Sequence, residues 1–407
     1  MTISGTIRSP KTVYFGSGQR HALPTIVSNL GRRVFLCSDE RLKQDAKLRA
    51  VVEALTSSGV EVEIYDRTVA ELPLECIHDA TNAARAFKPD VILGIGGGSC
   101  LDIAKLVSLS LTHGSDLSAF YGEFKVPGPI IPVIAVPTTA GTGSEITPVA
   151  VLADPSRGTK VGISSPYLIA EVSVCDPELT ITCPPSLTAV AGADALTHAI
   201  EAFTAIKRPF EPDLALRQVF IGKNTMSDAQ AKVAIAALAG NLALAVKDGT
   251  NVAAREQVMY GAMTAGLAFG VAGTAAAHAI QYPIGALTKT AHGLGVAVLM
   301  PYVMEFNRDH NTDEFAEIAR LFGASAKSEE ELADLAIDLV VKLFAEIGIP
   351  ETTADLGVTE DKLSWIAEQS LLSARLVKNN PRPLDFDALL RIARASFNGD
   401  RKQLRNN

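Results

Sequence analysis

The 407-residue chain is short of cysteine, of aromatic residues and of charge in runs. Its five cysteines, Cys37, Cys76, Cys100, Cys175 and Cys183, are odd in number and have neither CxxC spacing nor a CxxH partner, so they read as buried thiols in a reducing compartment rather than a disulfide framework. Lys and Arg number 37 against 45 Asp and Glu, a net charge of −8, and no five like charges adjoin. That balance argues against nucleic acid or an anionic membrane as the main partner, and a small neutral or metal-liganding substrate fits it better. No stretch reaches the roughly 18 uninterrupted apolar residues of a membrane span, and the opening MTISGTIRSP has no apolar signal core. The expectation is a soluble, cytoplasmic protein.

What is present is ample apolar material. Hydrophobic residues make up 47% of the chain, and the mean hydropathy of +0.21 excludes disorder. At about 150 residues per domain the length suggests two or three domains. Up to residue 183 short β-branched runs (34–37, 60–65, 91–95, 133–136) alternate with helical patterns near 46–57, 76–87 and 101–112, which predicts a doubly wound, mostly parallel α/β sheet. After Pro184-Pro185 the texture turns to Ala/Leu-rich helical patterns at 186–204, 229–247, 253–270, 274–282, 328–347, 359–373 and 385–397. The predicted organisation is an α/β domain over 1–183 and an all-helical domain over 184–407, with a cleft between them as the default ligand site. Residues 207–228 are polar and turn-rich and read as a surface excursion. Trp365 and the Leu/Ile stripes of the last helices read as core, and 401–407 as a solvated tail.

Two loops carry a nucleotide signal. Gly94-Ile95-Gly96-Gly97-Gly98-Ser99 follows a strand candidate and opens into a helix containing Asp102, so backbone N–H groups and the helix N-terminus can face a diphosphate. The consecutive glycines differ from the usual GxGxxG, and a ligand-free tight turn is the competing reading. Pro137 to Glu145 follows the next strand and is dense in hydroxyls and glycine, where phosphate, ribose or nicotinamide would sit on an open α/β sheet. Asp39, after the first run, is placed to accept from ribose hydroxyls and to repel a 2′-phosphate, preferring NAD to NADP. Taken alone, it reads as a turn residue.

Seven histidines are present, and three of them have context. Asp194 and His198 are four apart on a helical pattern, roughly 40° apart around its axis, and read either as a core hydrogen-bonded pair or as two metal ligands. His278 and His292 follow, with Pro283 and Gly285 expected to break the helix between them and fold the chain back. One Asp and three His would make a mixed O/N site for Fe(II) or Zn(II), acting as Lewis acid on a hydroxyl or carbonyl oxygen. His21, His78, His113 and His310 read as surface or helix-end residues. Phe269, nine residues before His278, is a candidate pocket residue.

Together GGGSCLDIAK at 96–105, PTTAGTGSE at 137–145, DPELT at 176–180, GADALTHAIEAF at 192–203 and HAIQYPIG through HGLGVAVLMPYVMEFN at 278–307 resemble the iron-containing (group III) alcohol dehydrogenase family, whose fold is shared with dehydroquinate synthase. The resemblance implies an N-terminal dinucleotide-binding domain, an all-helical metal-binding domain and assembly as a homodimer or larger homo-oligomer. It places Asp194, His198, His278 and His292 on the metal ligands, and Gly97, Gly98, Ser99 and Asp102 on the diphosphate turn. Thr138, Thr139, Ser144, Val149, Lys160 and Leu179 fall on or near further cofactor contacts, and Asp39 on the acid associated with NAD preference. Where many members carry a relay histidine four residues after the third ligand, this chain has Tyr282, a poor base at neutral pH.

The implied activity is hydride transfer between NAD(H) and a small alcohol or aldehyde, or a hydroxy acid and its oxo acid, with the substrate oxygen on one Fe(II) or Zn(II). The 207–228 segment and Tyr282 resemble the hydroxyacid–oxoacid transhydrogenase branch, which is the alternative. A dehydroquinate-synthase type of lyase would need Lys and Arg around the metal to bind phosphate. The flanking segments are instead Ala, Gly, Ile and Thr, with Lys289 the nearest cation in the fold-back.

Overall fold

A computed structural model describes residues 3–156 and 159–405. The chain forms two compact units: Arg8–Cys183 with Ala215–Val219, and Met1–Ile7, Pro184–Leu214 and Phe220–Asn407.

In the first unit the chain runs β1 (Thr12–Phe15), α1 (Leu23–Leu30), β2 (Arg33–Cys37), α2 (Ala46–Ser57), β3 (Glu61–Tyr65), α3 (Leu74–Phe87), β4 (Val91–Gly96), α4 (Gly98–His113), β5 (Gly122–Glu123), β6 (Val133–Pro137), β7 (Val149–Asp154), β8 (Thr159–Ser164) and β9 (Val172–Cys175). Six strands form a parallel sheet in the order β1-β9-β6-β4-β2-β3. The inner strands β2, β4, β6 and β9 bury both faces, while the edge strands β1 and β3 are largely exposed. Phe35 and Cys37 pack in one core with α3 and α4 residues such as Ile77 and Leu106, while Val34 and Leu36 pack in the other with Leu23 and Leu55. That double burial is why the sequence shows β-branched runs here rather than alternation.

From β2 the chain moves outward to β3, then returns past β2 to β4 and on to β6. The reversal between β2 and β4 is the topological switch point, where ligands of open α/β sheets bind beyond the strand C-termini. A smaller sheet of order β5-β8-β7 includes the antiparallel β7–β8 pair, which the alternation had not shown.

The second unit is helical: α5 (Pro185–Thr204), α6 (Leu214–Arg217, which runs into the first unit), α7 (Thr225–Lys247), α8 (Val252–Ala272), α9 (Ala276–Thr288), α10 (His292–Asn307), α11 (Thr312–Leu321), α12 (Glu329–Glu346), α13 (Leu363–Leu371), α14 (Ala374–Asn379) and α15 (Phe386–Asn398). Helices α5, α7 and α8 form a tightly packed trio. Gly192 on α5 lies where a Cβ would collide with Leu242 of α7 at 2.1 Å. By length and composition α7 is apolar enough to cross a membrane, but its Ala231, Ile235, Leu238 and Leu242 are buried in this bundle.

Several expectations are corrected. Pro283 and Gly285 do not end the helix; both lie inside α9. The reversal comes at Lys289, in the left-handed region (φ 59°), whose N–H caps onto the Gly285 carbonyl. Proline removes one donor but leaves the remaining ladder, and the burial of α9 from Ala276 to Ile284 outweighs that loss.

Trp365 is only half-buried, because the buried stripe of α13 is Leu363, Ile366, Ala367 and Ser370. The described part of the tail is solvated at Lys402 and Gln403 but anchored: Arg401–Leu404 form a 3-10 turn, Leu404 is buried, and Arg401 and Arg405 pair with the fully buried Glu305. The 207–228 segment is exposed at Phe210 and Leu216 but tethered at its middle. There Arg8 donates to the Ala215 and Val219 carbonyls, and Glu123 accepts from the Val219 N–H. All five cysteines are free thiols, four buried and Cys183 half-buried.

Candidate metal centre and nucleotide turn

On α5 Asp194, His198 and Glu201 recur at i, i+4 and i+7 and so share one face, which is buried. α9 presents His278, with Gln281 and Tyr282 one turn on. α10 begins at His292, brought against α5 because Gly293 has no side chain: a Cβ there would stand 2.7 Å from the Val190 carbonyl and 3.0 Å from Asp194 Cβ. One ligand atom from each of Asp194, His198, His278 and His292 lies within 4.8 Å of the others. Asp194 Oδ1 is 3.6 Å from His198 Nε2 and 4.0 Å from His278 Nε2.

Those separations are too long for hydrogen bonds and suit donors about 2.1 Å from a shared ion. Asp194 Oδ1 and His278 Nε2 are fully buried with no hydrogen-bond partner. Buried polar atoms left this way in a native fold call for a ligand between them. The donor set fits a divalent ion such as Fe(II) or Zn(II).

The far side of each imidazole is also arranged. His278 Nδ1 lies 2.6 Å from Glu201 Oε2, and Glu201 also accepts from the Ala275 and Ala277 N–H groups at 2.9 and 2.8 Å. Burial alone would raise the Glu201 carboxyl, but His278 and those donors hold it below the ordinary carboxylate range. His292 Nδ1 lies 2.7 Å from Gln281 Oε1. Each partner directs the opposite Nε2 toward the cluster.

Phe269 stacks on His198, ring centroids 4.2 Å apart, and Tyr282 stacks on His292 at 6.0 Å. Burial raises the Tyr282 pKa above its ordinary value, so its phenol is a proton donor at neutral pH and not a base. Glu201 and Gln281 were missed in the sequence reading. The i+3 spacing of each from a histidine was the available signal.

In the α/β unit Gly96 adopts φ 151°, and a Cβ there would strike Cys100 Sγ at 2.5 Å. No side chain caps the α4 N-terminus, where Gly97, Gly98 and Ser99 are half-buried. Its first N–H groups are therefore available to an anion. Thr139 sits 3.6 Å from the position of a Gly97 Cβ, and Thr138 Oγ1 is buried without a partner. Asp39 reaches the same turn: its Oδ2 is 3.5 Å from Cys100 Sγ. Arg41 grips Asp39 with Nε and Nη2 at 2.7 to 3.1 Å, and this pairing holds the carboxyl low against burial.

Asp102 and Ser144 bond to each other at 2.5 Å, and Asp102 also accepts from the Val151 N–H, so this pair ties the two loops together. Lys105, missed earlier, is wholly buried and donates to the carbonyls of Ser144, Thr147 and Val149 at 2.6, 3.0 and 2.8 Å. Lys160 pairs with Glu71 at 2.5 Å, Leu179 is buried, and Val149 is half-buried on β7. His21, His78 and His310 are exposed, and His113 faces the Gly128 and Pro129 carbonyls, so these four stand apart from the metal cluster.

Comparison with known proteins gives the family. The family model for iron-containing alcohol dehydrogenase matches residues 10–177, and that for the C-terminal part of the Fe-containing alcohol dehydrogenase family matches 188–397. Long-chain-alcohol dehydrogenase 1 of Geobacillus thermodenitrificans is 34% identical over 96% of both chains. Sulfoacetaldehyde reductase of Bilophila wadsworthia is 32% identical over 95% of this chain and 97% of its own. A crystal structure of 1,3-propanediol oxidoreductase superposes with a TM-score of 0.90 at 33% identity, covering 97% of this chain and 100% of that one. Sulfoacetaldehyde reductase from Bifidobacterium kashiwanohense, solved in complex with NAD+, superposes with a TM-score of 0.82 at 25% identity, over 97% of this chain and 99% of that one. The chain belongs to the iron-containing alcohol dehydrogenase family.

Proposed function

We propose that this protein is a metal-dependent oxidoreductase that moves a hydride between NAD(H) and a small alcohol or aldehyde, or a hydroxy acid and its oxo acid. The observation that carries the reading is the convergence of Asp194, His198, His278 and His292, with two buried atoms that nothing else satisfies. A divalent ion bound there supplies Lewis acidity toward a substrate hydroxyl or carbonyl oxygen. Glu201 and Gln281 hold the His278 and His292 rings with Nε2 facing inward. Phe269 covers His198 and keeps that side of the cluster apolar, and Tyr282 retains its phenolic proton on Oη as a donor.

In the α/β unit, Gly97, Gly98 and Ser99 would bind the diphosphate through backbone N–H groups. Asp39 would select the unphosphorylated ribose, and Thr138 and Thr139 would contact the remaining nucleotide. Asp102 and Ser144 would hold the loops in register. This division assigns nucleotide to the α/β domain, read as 1–183, and metal and substrate to the helical domain, 184–407.

The decisive experiment measures metal and nucleotide in protein purified without oxygen, then NADH oxidation against aldehydes and 2-oxo acids. About one Fe or Zn per chain with aldehyde-dependent NADH loss is the expected result. Tightly retained nucleotide with exchange between a hydroxy acid and an oxo acid, and no turnover of free NADH, would favour the transhydrogenase instead. Metal-free protein that still reduces aldehydes would sink the reading.

A further inference from the structure

His292 opens α10, a helix that packs against both α5 and α9. Its Nδ1 lies 2.7 Å from Oε1 of Gln281, which stands three residues past His278 on α9. Gln281 is only 1% exposed, so the place of its amide is set by the groups packed around it rather than by water.

Two glycines meet that side chain. Gly285 lies one turn further along α9, and a Cβ there would stand 2.7 Å from Gln281 Nε2. Gly295 lies three residues past His292 on α10, and a Cβ there would stand 2.7 Å from Gln281 Cγ and 3.3 Å from Nε2. Both shortest approaches fall well inside the roughly 3.5 Å at which non-bonded atoms come to rest, so an alanine at either position has to displace Gln281.

Gly293 is different in kind. A Cβ there would first meet the Val190 carbonyl, so that glycine lets the α10 backbone approach α5. At Gly295 the three nearest atoms all belong to Gln281, and at Gly285 the nearest one does, with the Thr290 carbonyl at an ordinary 3.6 Å. Both glycines lie inside helices, where glycine is less stable than alanine. Helix formation does not account for them, and room for one amide does.

We propose that Gly285 and Gly295 form a slot that fixes the Gln281 amide on His292 Nδ1, and that through Gln281 this slot sets the affinity of the centre for its metal. The proposal rests on the metal-centre reading above. An acceptor on Nδ1 keeps the imidazole proton there and leaves Nε2 as the ligand nitrogen. A glutamine side chain is costly to order, and the slot orders it before the ion arrives, so that cost does not fall on binding. Gln281, Gly285 and Gly295 are positioning residues that act on the ion only through His292.

The test measures Zn(II) affinity of the full-length protein by chelator competition, with the visible absorption of the Co(II)-loaded form reporting ligand geometry. Gly285→Ala and Gly295→Ala should each weaken Zn(II) binding about 10-fold and alter the Co(II) bands. Thermal melting of the metal-free variants should stay level or rise, because alanine favours the helix. Gln281→Ala should weaken binding by a similar factor. In that background Gly295→Ala should have no further effect, since the side chain it displaces is gone.

Glycine variants that bind Zn(II) as tightly as the wild type would overturn the slot. Losses that add in full in the double variant would also overturn it, by placing the effect in helix packing. If Gly295→Ala does not fold, Gly285→Ala decides, because its Cβ meets only the tip of the amide at close range. A wild type that takes up neither Zn(II) nor Co(II) would reject the metal centre and the slot with it, whereas a wild type that binds beside unaffected variants rejects the slot alone.

Discussion

Glu201 and His278, 77 residues apart in the chain, meet at 2.6 Å, and both Glu201 oxygens are further engaged by the backbone N–H groups that start α9. The carboxylate therefore fixes His278 and the entry of its helix together. Replacing it with the isosteric amide, Glu201→Gln, should weaken metal binding about 10- to 100-fold while leaving the fold assembled. Chelator-competition titration measures this. Wild-type affinity in the variant would show that His278 is oriented by something else.

Removing a histidine of the cluster should act more severely. His278→Ala or His292→Ala is expected to abolish metal retention and turnover, with far-UV circular dichroism unchanged. A variant of normal metal content and full activity would remove that residue from the ligand set.

Lys105 links pH to the loop proposed to hold the nucleotide. Burial lowers its pKa from 10.5 to about 8, with Asp102 and Glu145 pulling it back only in part. Glu145 is itself pushed up to about 7 by burial, and Lys160 also acts on Asp102. Below about pH 8 the ammonium has three protons for three carbonyls. Above it one carbonyl of the 144–149 segment loses its donor. NADH affinity should therefore fall as pH rises through about 8, and Lys105→Met should bind more weakly with that limb of the profile removed. Global stability responds with the opposite sign: between about 8 and 10.5 the unfolded chain holds the proton that the folded chain has released, so this group favours folding more as pH rises. Fluorescence titration of NADH across pH 6.5–9.5, a range taken as about 1.5 units either side of the shifted pKa, checks the prediction, and a flat wild-type profile would contradict it.

Asp39 and Arg41 form an ion pair beside the glycine turn, and on the proposed function this pair should set cofactor choice. In Asp39→Gly the carboxylate is gone and the Arg41 guanidinium is released toward a 2′-phosphate, so NADPH use should rise relative to NADH. Adding Arg41→Ala should cancel the gain. Equal kcat/KM ratios for the two cofactors in wild type and Asp39→Gly would reduce Asp39 to a cap on its own turn.

The C-terminal turn should matter for stability. Ending the chain at residue 400 leaves Glu305, which is fully buried, without Arg401 and Arg405. An uncompensated buried charge of this kind destabilises by about 3–5 kcal/mol. Thermal melting of the truncated protein, compared with truncated Glu305→Gln, should show a large loss that the second change partly recovers.

The parts of this protein that were legible in the sequence depend on neighbours along the chain. β-branched runs, glycine turns and Ala/Leu periodicity announced most helices and four of the sheet strands, because burial pattern and backbone preference act within a few residues. Strands β1 and β9 were not recognised: each has only four residues, and their pairing joins chain segments some 160 residues apart. α10 escaped because it is apolar around almost its whole circumference and so has no amphipathic stripe to read.

Residue type and order by themselves determined the family resemblance, the acid and three histidines, and the hydroxyl-rich loops. Only the tertiary structure decided that Glu201 and Gln281 orient the imidazoles, that Lys105 and Asp102 tie the two loops of the α/β unit, and that Pro283 sits inside a helix whose burial outweighs its broken hydrogen bond. Those relationships are contacts between segments far apart in the chain. Their energies come from burial and pairing that exist only once the chain has closed on itself.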